Sequence, residues 1–159
     1  MSVTVAVNNM SVVHKDSGGI TTAFPDVCKT PAPPVPIPYV NIAKSQDTAQ
    51  GSKTVTMDGN PIMIKSSNFA TSTGDEAGTA GGGVVSNTIK GKAEFVNYSF
   101  DVKVDGENVC RLLDPMIHNK QSSPNTAPFP EMQGPVVVVV MEETENVERK
   151  CPCCQEELE

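Results

Sequence analysis

Two segments rich in proline and glycine constrain the fold of this chain more than any other feature. Prolines dominate residues 26–39, and glycines dominate residues 72–85. Proline fixes φ and lacks an N–H donor, whereas glycine adopts a positive φ at little cost. The run from Pro31 to Pro38 therefore cannot form a helix or a central strand, and it is predicted to be an extended, polyproline-like connection. Short strands joined by fixed loops are expected throughout.

The hydrophobic core that this sequence can build is small. Of its 159 residues, 38% are hydrophobic and 4% are aromatic, and tryptophan is absent. A chain of this length predicts one domain, with an interior of Val, Ile and Met and a few Phe side chains. Domains with so little core commonly gain stability from a metal ion, a disulfide or an oligomeric contact.

Two Asp-Gly turns predict hairpins, and a third turn follows a predicted first strand, so a fold that is mainly β with little helix is expected. Val3, Val5 and Val7 alternate with small or polar residues before a turn at residues 8–9, which is typical of a first strand. Residues 58–59 and 105–106 are Asp-Gly pairs between apolar alternating segments, the strongest short signal for a hairpin. The two Asp-Gly hairpins resemble copies of one β unit.

Charge and hydropathy exclude some partners. A net charge of −7 argues against binding to nucleic-acid phosphates, which requires clustered Lys and Arg. No segment approaches the roughly 18 apolar residues of a membrane span, and residues 136–141 have the length of a buried strand. The amino terminus lacks the basic and apolar regions of a signal peptide, so synthesis and folding in the cytoplasm are expected.

The cysteines and histidines offer the clearest candidate chemistry. Four residues could supply the N and S donors of a tetrahedral zinc site if the fold gathers them: Cys28, His118, His14 and Cys110. A buried cysteine can equally be a small hydrophobic residue of the core. Residues 151–154 hold three further cysteines, for which metal binding, cross-linking to a partner and disorder all stay open. An odd total of five cysteines favours reduced thiols or a metal over a disulfide framework.

Catalytic motifs are weak by comparison. The glycines of residues 81–83 could cradle a phosphate, but the Lys-Ser/Thr pair of a P-loop is missing, and glycine more often allows close packing. Asp75 and Glu76 are adjacent carboxylates for which a surface or loop-fixing role is expected. A Cys28–His118 nucleophile pair would lack the helix terminus that lowers a thiol pKa, so catalysis is not expected.

Several motifs together resemble one known family, the PAAR-like domain of bacterial contractile injection systems, such as type VI secretion. The similarity extends from Val3 to Asn119. The motifs are residues 25–31, 36–39, 41–43, 72–76, 78–85, 89–95, 101–102 and 109–114, with His118 and Asn119.

The resemblance implies a small β-rich cone, here residues 1–141, followed by an acidic, cysteine-containing tail, residues 142–159. It implies a structural tip that caps and sharpens a trimeric VgrG-type spike, one copy per trimer, and aids membrane piercing and effector delivery. The alternative is a zinc-binding adaptor of the same machinery that recruits an effector or cargo through the tail. Either role places the protein in the bacterial cytoplasm before assembly and then at the tip of the apparatus, without a signal peptide.

The resemblance also implies one zinc ion per chain. Cys28 and His118 lie in matching segments and are the first candidates for its ligands, with His14 and Cys110 next. Leu112 replaces a histidine that is common in the family, so that position supplies no ligand. Fewer than about fifty residues follow His118, too few for an ordinary catalytic domain, so the chain is predicted not to be an enzyme.

Overall fold

The computed structural model describes residues 3–135, and their fold is mainly β, as predicted. The only helical element in this range is a 3-10 turn, Ser45–Asp47. The strands are β1 (Ala6–Val7), β2 (Met10–Ser11), β3 (Ile20–Thr30), β4 (Val35–Lys44), β5 (Thr48–Ala49), β6 (Thr56–Met57), β7 (Asn60–Pro61), β8 (Asn68–Phe69), β9 (Ser72–Thr73), β10 (Gly82–Gly83), β11 (Lys92–Phe95), β12 (Lys103–Val104), β13 (Glu107–Asn108), β14 (Pro115–Lys120) and β15 (Phe129–Met132).

Nine of these strands form one antiparallel sheet. Their order is β5-β8-β11-β14-β15-β3-β4-β9, and β10 pairs with the far end of β3. The long β3–β4 hairpin is its main feature, and a register shift between Ala23 and Asp26 marks a bulge in β3. Residues 136–141, the predicted buried strand, and the boundary at residue 141 lie outside the described residues.

The proline run is predicted to be an extended, polyproline-like connection, but its second half forms part of a strand. Pro36 and Pro38 lie within β4, where they pair with Lys29 and Val27 of β3. Within residues 3–135, β9 pairs with β4 only at residues 42–43, so the proline half of β4 is a sheet edge. A proline at an edge can direct its missing N–H away from the ladder, which is why strand structure survives there.

Three small hairpins confirm the turns predicted from the sequence. They are β1–β2, β6–β7 and β12–β13, each closed by two residues. The turn residues all have positive φ: 52° and 62° at residues 8–9, 51° and 77° at residues 58–59, and 51° and 82° at residues 105–106. Two positive φ angles define the turn that matches strand twist, which Asn and Gly tolerate.

The three hairpins are equivalent copies, one more than the two that the Asp-Gly turns predict. Residues 5–14, 55–64 and 102–111 align without gaps. In each copy the eighth residue donates a backbone hydrogen bond to the first, at 3.2, 3.4 and 3.1 Å respectively. The unit is therefore a threefold repeat.

A closed ring of hydrogen bonds joins the copies. The N–H of Val13 donates to Cys110 at 3.2 Å, that of Cys110 donates to Met63 at 3.0 Å, and that of Met63 donates to Val13 at 2.9 Å. Each of these residues occupies the ninth position of its copy. A ring in which every copy donates to one neighbour and accepts from the other has threefold pseudosymmetry.

The core consists of two small clusters, as the composition predicts. The first is aliphatic and joins the three hairpins; its buried members are Val3, Val7, Val12, Ile62, Ile64 and Val109. The second lies under the sheet and contains a Phe69–Phe95 edge-to-face pair at 5.7 Å. Its other buried members are Val13, Ala43, Met63, Ala93, Cys110 and Met116.

Candidate functional site

A buried group of acids and a thiol lies beneath the β3–β4 hairpin. Asp26, Cys28 and Asp75 place one ligand atom each within 4.8 Å of one another, and all three residues are fully buried. Asp26 and Cys28 are two residues apart on β3, so their side chains lie on the same face. Asp75 follows β9. We call these three residues the acid–thiol cluster.

The glycine-rich loop covers this cluster. Gly82 and Gly83 form β10 and pair with Lys29 and Cys28. A Cβ atom added at Gly78 would lie 2.5 Å from the Cβ of Cys28, so only glycine allows this approach. Packing over the thiol therefore accounts for Gly78, whereas a Cβ atom at Gly82 would meet the Thr88 backbone and one at Gly83 the side chains of Asn125 and Ser86.

Three asparagine side chains converge on the Asp26 carboxylate. The Nδ2 groups of Asn41 and Asn125 donate short hydrogen bonds to its two oxygens, and that of Asn119 donates at 3.4 Å. Asn119 also donates to the Cys28 Sγ at 3.7 Å. The Oδ1 of Asn41 is buried without any partner. The amides thus satisfy Asp26 while leaving one buried acceptor unused beside it.

The cluster holds acidic groups without a basic partner. The Cys28 thiol donates to Asp26 at 3.5 Å and to Asp75 at 3.8 Å. Burial, followed by the two nearby carboxylates, raises the pKa of Cys28 to about 12. Burial also raises the pKa of Asp75, although the Lys90 N–H donates to both of its oxygens at 3.0 and 3.1 Å. No ion pair among residues 3–135 reaches Asp26 or Asp75.

This arrangement can share protons or hold a cation, but it does not activate a nucleophile. Catalysis by a cysteine requires a thiolate, which forms at neutral pH only when the thiol pKa is lowered. The pKa of Cys28 moves in the opposite direction, and carboxylates rather than an imidazole surround its sulfur. Carboxylate oxygen and thiolate sulfur are both zinc ligands.

His118 lies next in the chain to Asn119 and is also fully buried. Its Nε2 lies 3.0 Å from the Thr21 Oγ1, and its Nδ1 has no hydrogen-bond partner. Burial lowers the pKa of His118 to about 4, while the Asp26 carboxylate opposes that shift. The imidazole is therefore neutral at physiological pH and retains one unused nitrogen.

The other two predicted ligands lie in the hairpin unit. The Nε2 of His14 is 3.2 Å from the Asp58 Oδ2, and the Asp16 N–H donates to its Nδ1 at 3.2 Å. Cys110 belongs to the core beneath the sheet, where burial raises its thiol pKa. No three of Cys28, His118, His14 and Cys110 lie within 4.8 Å of one another.

The structure instead gathers two acids around Cys28. Asp26 precedes Cys28 by two residues in a strand, a spacing that could have identified it from the sequence. The burial of Asp26 could not have been foreseen in the same way, because the asparagines that satisfy it are far away in the sequence. Asp75 is buried, and its bonds to Lys90 fit the expected loop-fixing role.

The described residues contain no helix of the length and hydrophobicity that a membrane span requires.

Comparison with known proteins identifies the family. The model of the toxin PAAR-like domain matches residues 19–125, which is more than half of the chain. The chain is also 44% identical over 133 residues to a protein of Pseudomonas aeruginosa named DNase toxin Tse7. That match covers 78% of this chain but only 34% of the relative. No solved structure matches the chain.

The relative corrects the prediction that this protein is not an enzyme. That prediction rested on the few residues that follow His118, and the similar protein is an enzyme by its name, a DNase toxin. The chain spans about a third of that relative, so its length carries no argument against an enzymatic activity. The predicted resemblance is confirmed by both comparisons, and the chain belongs to the toxin PAAR-like domain family.

Proposed function

We propose that this chain is an adaptor module that attaches an effector to the trimeric VgrG-type spike of a type VI secretion system. The match to a DNase toxin over only a third of that toxin's length carries this proposal. In that relative, a region of this kind belongs to a longer chain named for its action on DNA. The module thus accompanies a toxin of the nuclease class from the bacterial cytoplasm to the tip of the apparatus, with residues 142–159 as its contact to cargo.

The threefold repeat favours docking on a trimer, and with it the second role, that of a spike tip. One chain cannot bind three identical subunits equally unless it presents similar surfaces to each of them. The three hairpins supply such surfaces, since residues 5–14, 55–64 and 102–111 repeat the same turns and hydrogen bonds. Effector carriage and capping of the spike are compatible roles for one module.

We expect one chain to bind per spike trimer, which native mass spectrometry of the purified complex measures. The matched variants are Ala6→Glu, Thr56→Glu and Lys103→Glu, since all three residues are exposed and begin the first strand of their hairpins. Each change should weaken binding on the order of ten-fold, a loss near 1.4 kcal/mol. The losses should multiply when two changes are combined.

Gln121→Glu, at an exposed residue outside the three hairpins, serves as the control and should leave affinity unchanged. Three chains per trimer, or sensitivity at one hairpin alone, would contradict docking on the threefold axis. An effector that reaches the spike equally well without this chain would contradict the adaptor role.

We further propose that the acid–thiol cluster binds one zinc ion through Asp26, Cys28 and Asp75. The donor set fits zinc, and the buried, unpartnered Oδ1 of Asn41 is an additional oxygen beside Asp26. His118 is linked electrostatically to this cluster, because the Asp26 carboxylate opposes the fall in the pKa of its imidazole. The Nδ1 of His118 also has no hydrogen-bond partner. Zinc would replace the thiol proton of Cys28, so its affinity should rise with pH.

Metal analysis of purified protein tests this proposal. We expect one zinc per chain, lost in Cys28→Ser together with several degrees of melting temperature, because structural zinc stabilises the folded state. Cys110→Ala is the control, since it also removes a buried thiol but lies in the apolar core, and it should keep its zinc. Folded wild-type protein that contains no zinc, or equal zinc loss in both variants, would contradict the assignment.

A further inference from the structure

The three hairpin copies contact one another in cyclic order, each through the turn of the next copy. The residue before each copy forms a hydrogen bond with the fourth residue of the following copy. The pairs are Thr4 N–H to Asp58 at 3.0 Å, Thr54 N–H to Asp105 at 3.3 Å, and Asn8 Nδ2 to Asp101 at 2.9 Å. We call these contacts junction 1 (first copy to second), junction 2 (second to third) and junction 3 (third to first).

At two of the junctions, the tenth residue of a copy also donates to this fourth residue. At junction 1 the His14 Nδ1 accepts from the Asp16 N–H at 3.2 Å, so its Nε2 carries the proton that it donates to Asp58, also at 3.2 Å. At junction 3 the Arg111 Nη1 donates to the Asn8 Oδ1 at 2.7 Å. Both basic residues are buried. Junctions 1 and 3 are therefore each filled by a basic side chain.

Junction 2 contains a cavity instead. The tenth residue of the second copy is Ile64, whose side chain has no hydrogen-bond donor. Ile64 lines an open cavity of about 550 Å³ together with Asp105 and Glu107 of the third copy. This volume lies in the roughly 300–1,000 Å³ range of small-ligand sites. The cavity lies between a tenth and a fourth residue, the place that His14 and Arg111 fill at the other junctions.

Both acids at the cavity are ionised at neutral pH. Hydrogen bonds, the largest effect being that of the Thr54 side chain, lower the pKa of Asp105 to about 2. Hydrogen bonds from Ser66 lower the pKa of Glu107. No ion pair among the residues that the structure describes reaches either carboxylate. The cavity thus carries two negative charges without a cation of the same chain to pair with them.

Two lysines lie near the cavity, but neither ammonium group pairs with its acids. The Lys65 Nζ lies over the Tyr98 ring, 5.3 Å from the centroid. Lys53 contributes its main-chain N–H, which donates to Asp105 at 2.8 Å, and its side chain forms no ion pair within residues 3–135. The space beside Ile64 therefore stays open to an external cation.

We propose that the cavity at junction 2 binds a guanidinium group, supplied by an arginine side chain of a bound protein or by a small guanidine compound. A guanidinium is planar and weakly hydrated, so one face can lie on the Ile64 side chain. Its five N–H donors can reach two separate carboxylates, which only accept. An ammonium ion is compact and strongly hydrated, and it offers no flat face to Ile64. Arg111 supplies the same group from within the chain at junction 3.

Nuclear magnetic resonance of the isotope-labelled full chain tests the proposal, with methylguanidinium chloride as the probe. We expect saturable shifts at the amides of residues 51–54, 64–66 and 105–107. Half-saturation should come at roughly 1–10 mM, because few contacts hold so small a ligand. N-methylurea, which has a similar shape but no charge, and sodium chloride at the same ionic strength should leave these amides unchanged.

Three variants locate the site. Asp105→Asn should weaken methylguanidinium binding at least ten-fold, and Asn8 shows that an amide is accepted at this position of the repeat. Ile64→Arg should abolish binding, because the new side chain occupies the cavity as Arg111 occupies junction 3. Asp58→Asn is the control, since it removes the same charge at junction 1, where His14 already fills the space. It should leave the affinity unchanged.

The outcomes separate the proposal from its competitors. Equal binding of N-methylurea, the absence of saturable shifts, or full binding by Asp105→Asn would overturn it. An equal loss in Asp58→Asn would show attraction to the overall negative charge rather than a site. If Ile64→Arg fails to fold, Asp105→Asn against Asp58→Asn still decides. Binding of N-acetylarginine amide at similar concentrations assigns the site to a protein's arginine, whereas binding of methylguanidinium alone assigns it to a free guanidine compound.

Discussion

Gly74→Ala should cost about 2–6 kcal/mol of stability, whereas Gly81→Ala should cost about 1–3 kcal/mol. Both glycines have a φ that side chains disfavour, +133° at Gly74 and +123° at Gly81. The surroundings differ, because a Cβ at Gly74 would lie 1.9 Å from the Val40 carbonyl oxygen. At Gly81 the nearest atom would be the Cδ of Lys29 at 3.5 Å, an ordinary contact with a side chain that can move.

Comparing the stabilities of the two variants separates the cost of the steric clash from the cost of the backbone strain, because both glycines have a positive φ but only Gly74 is crowded. Val40 lies between Tyr39 and Asn41, which pair with Asp26 and Ala23 of β3, so its carbonyl cannot move far without shifting paired residues on both sides. Overpacking adds typically 1–3 kcal/mol or more, and the total is then a large part of a 5–15 kcal/mol stability. Chemical denaturation followed by circular dichroism measures both variants. Equal stability of Gly74→Ala and Gly81→Ala would show that the loop before Asp75 can shift.

The local part of the fold could be predicted from the sequence. The turns at residues 8–9, 58–59 and 105–106 depend on two residues each, and their chemistry is visible in any window of the sequence. The ring that joins the three hairpins could not be predicted in this way. Its bonds link Val13, Met63 and Cys110, which are about fifty residues apart and carry three different side chains.

The proline run shows how context decides between two structures for one pattern. Prolines do exclude a central strand, as predicted. Pro36 and Pro38 nevertheless lie in a strand. At that end, β4 has a neighbouring strand, β3, on one side and none of the described strands on the other. Sheet position is a property of the whole fold, so local propensity alone gave the wrong structure here.

The fold brings one of the four predicted ligands, Cys28, into the acid–thiol cluster. Cys28 and His118 are both buried near Asp26, whereas His14 and Cys110 belong to the hairpin unit and its neighbouring core. Spacing identified residue types that bind metals, but not which of them the fold gathers. Asp26 was missed because a buried carboxylate needs donors, and its donors Asn41, Asn119 and Asn125 come from three distant parts of the chain.

Glu131→Gln should change how stability depends on pH. Glu131 is fully buried next to Gly19, and neither of its carboxylate oxygens has a hydrogen-bond partner. The Asp114 carboxylate accepts hydrogen bonds from the Arg111 guanidinium, at 3.2 and 3.1 Å. Burial, and then the Asp114 carboxylate, raises the pKa of Glu131 from 4.5 to about 8. The folded protein therefore keeps a proton on Glu131 at neutral pH.

The sign of the effect follows from proton binding. Between pH 4.5 and 8 the folded state holds a proton on Glu131 that the unfolded state has released, so stability falls as pH rises. The lowered pKa of His118, about 4 against 6.5, has the opposite effect between those two values. The two contributions nearly cancel up to pH 6.5, and from there to pH 8 the wild type should lose about 2 kcal/mol.

Glu131→Gln removes the contribution that makes stability fall as pH rises, and it keeps the opposite contribution of His118. The stability of this variant should rise by about 2–3 kcal/mol between pH 4.5 and 6.5 and then stay level to pH 8. The raised pKa values of Asp75, Cys28 and Cys110 act in both proteins and cancel in the comparison.

Urea denaturation at a series of pH values measures this difference, with Glu107→Gln as the matched control. Glu107 is only half-buried, and the hydrogen bonds that it accepts from Ser66 lower its pKa. Its contribution to stability is therefore lost only in acid, and the Glu107→Gln curve above pH 6.5 should match that of the wild type. If Glu131→Gln declines above pH 6.5 as steeply as the wild type, Glu131 is ionised in the folded protein and a cation or a donor must neutralise it. A level curve for Glu131→Gln beside a falling wild type assigns the neutral-pH loss of stability to this one buried carboxyl group.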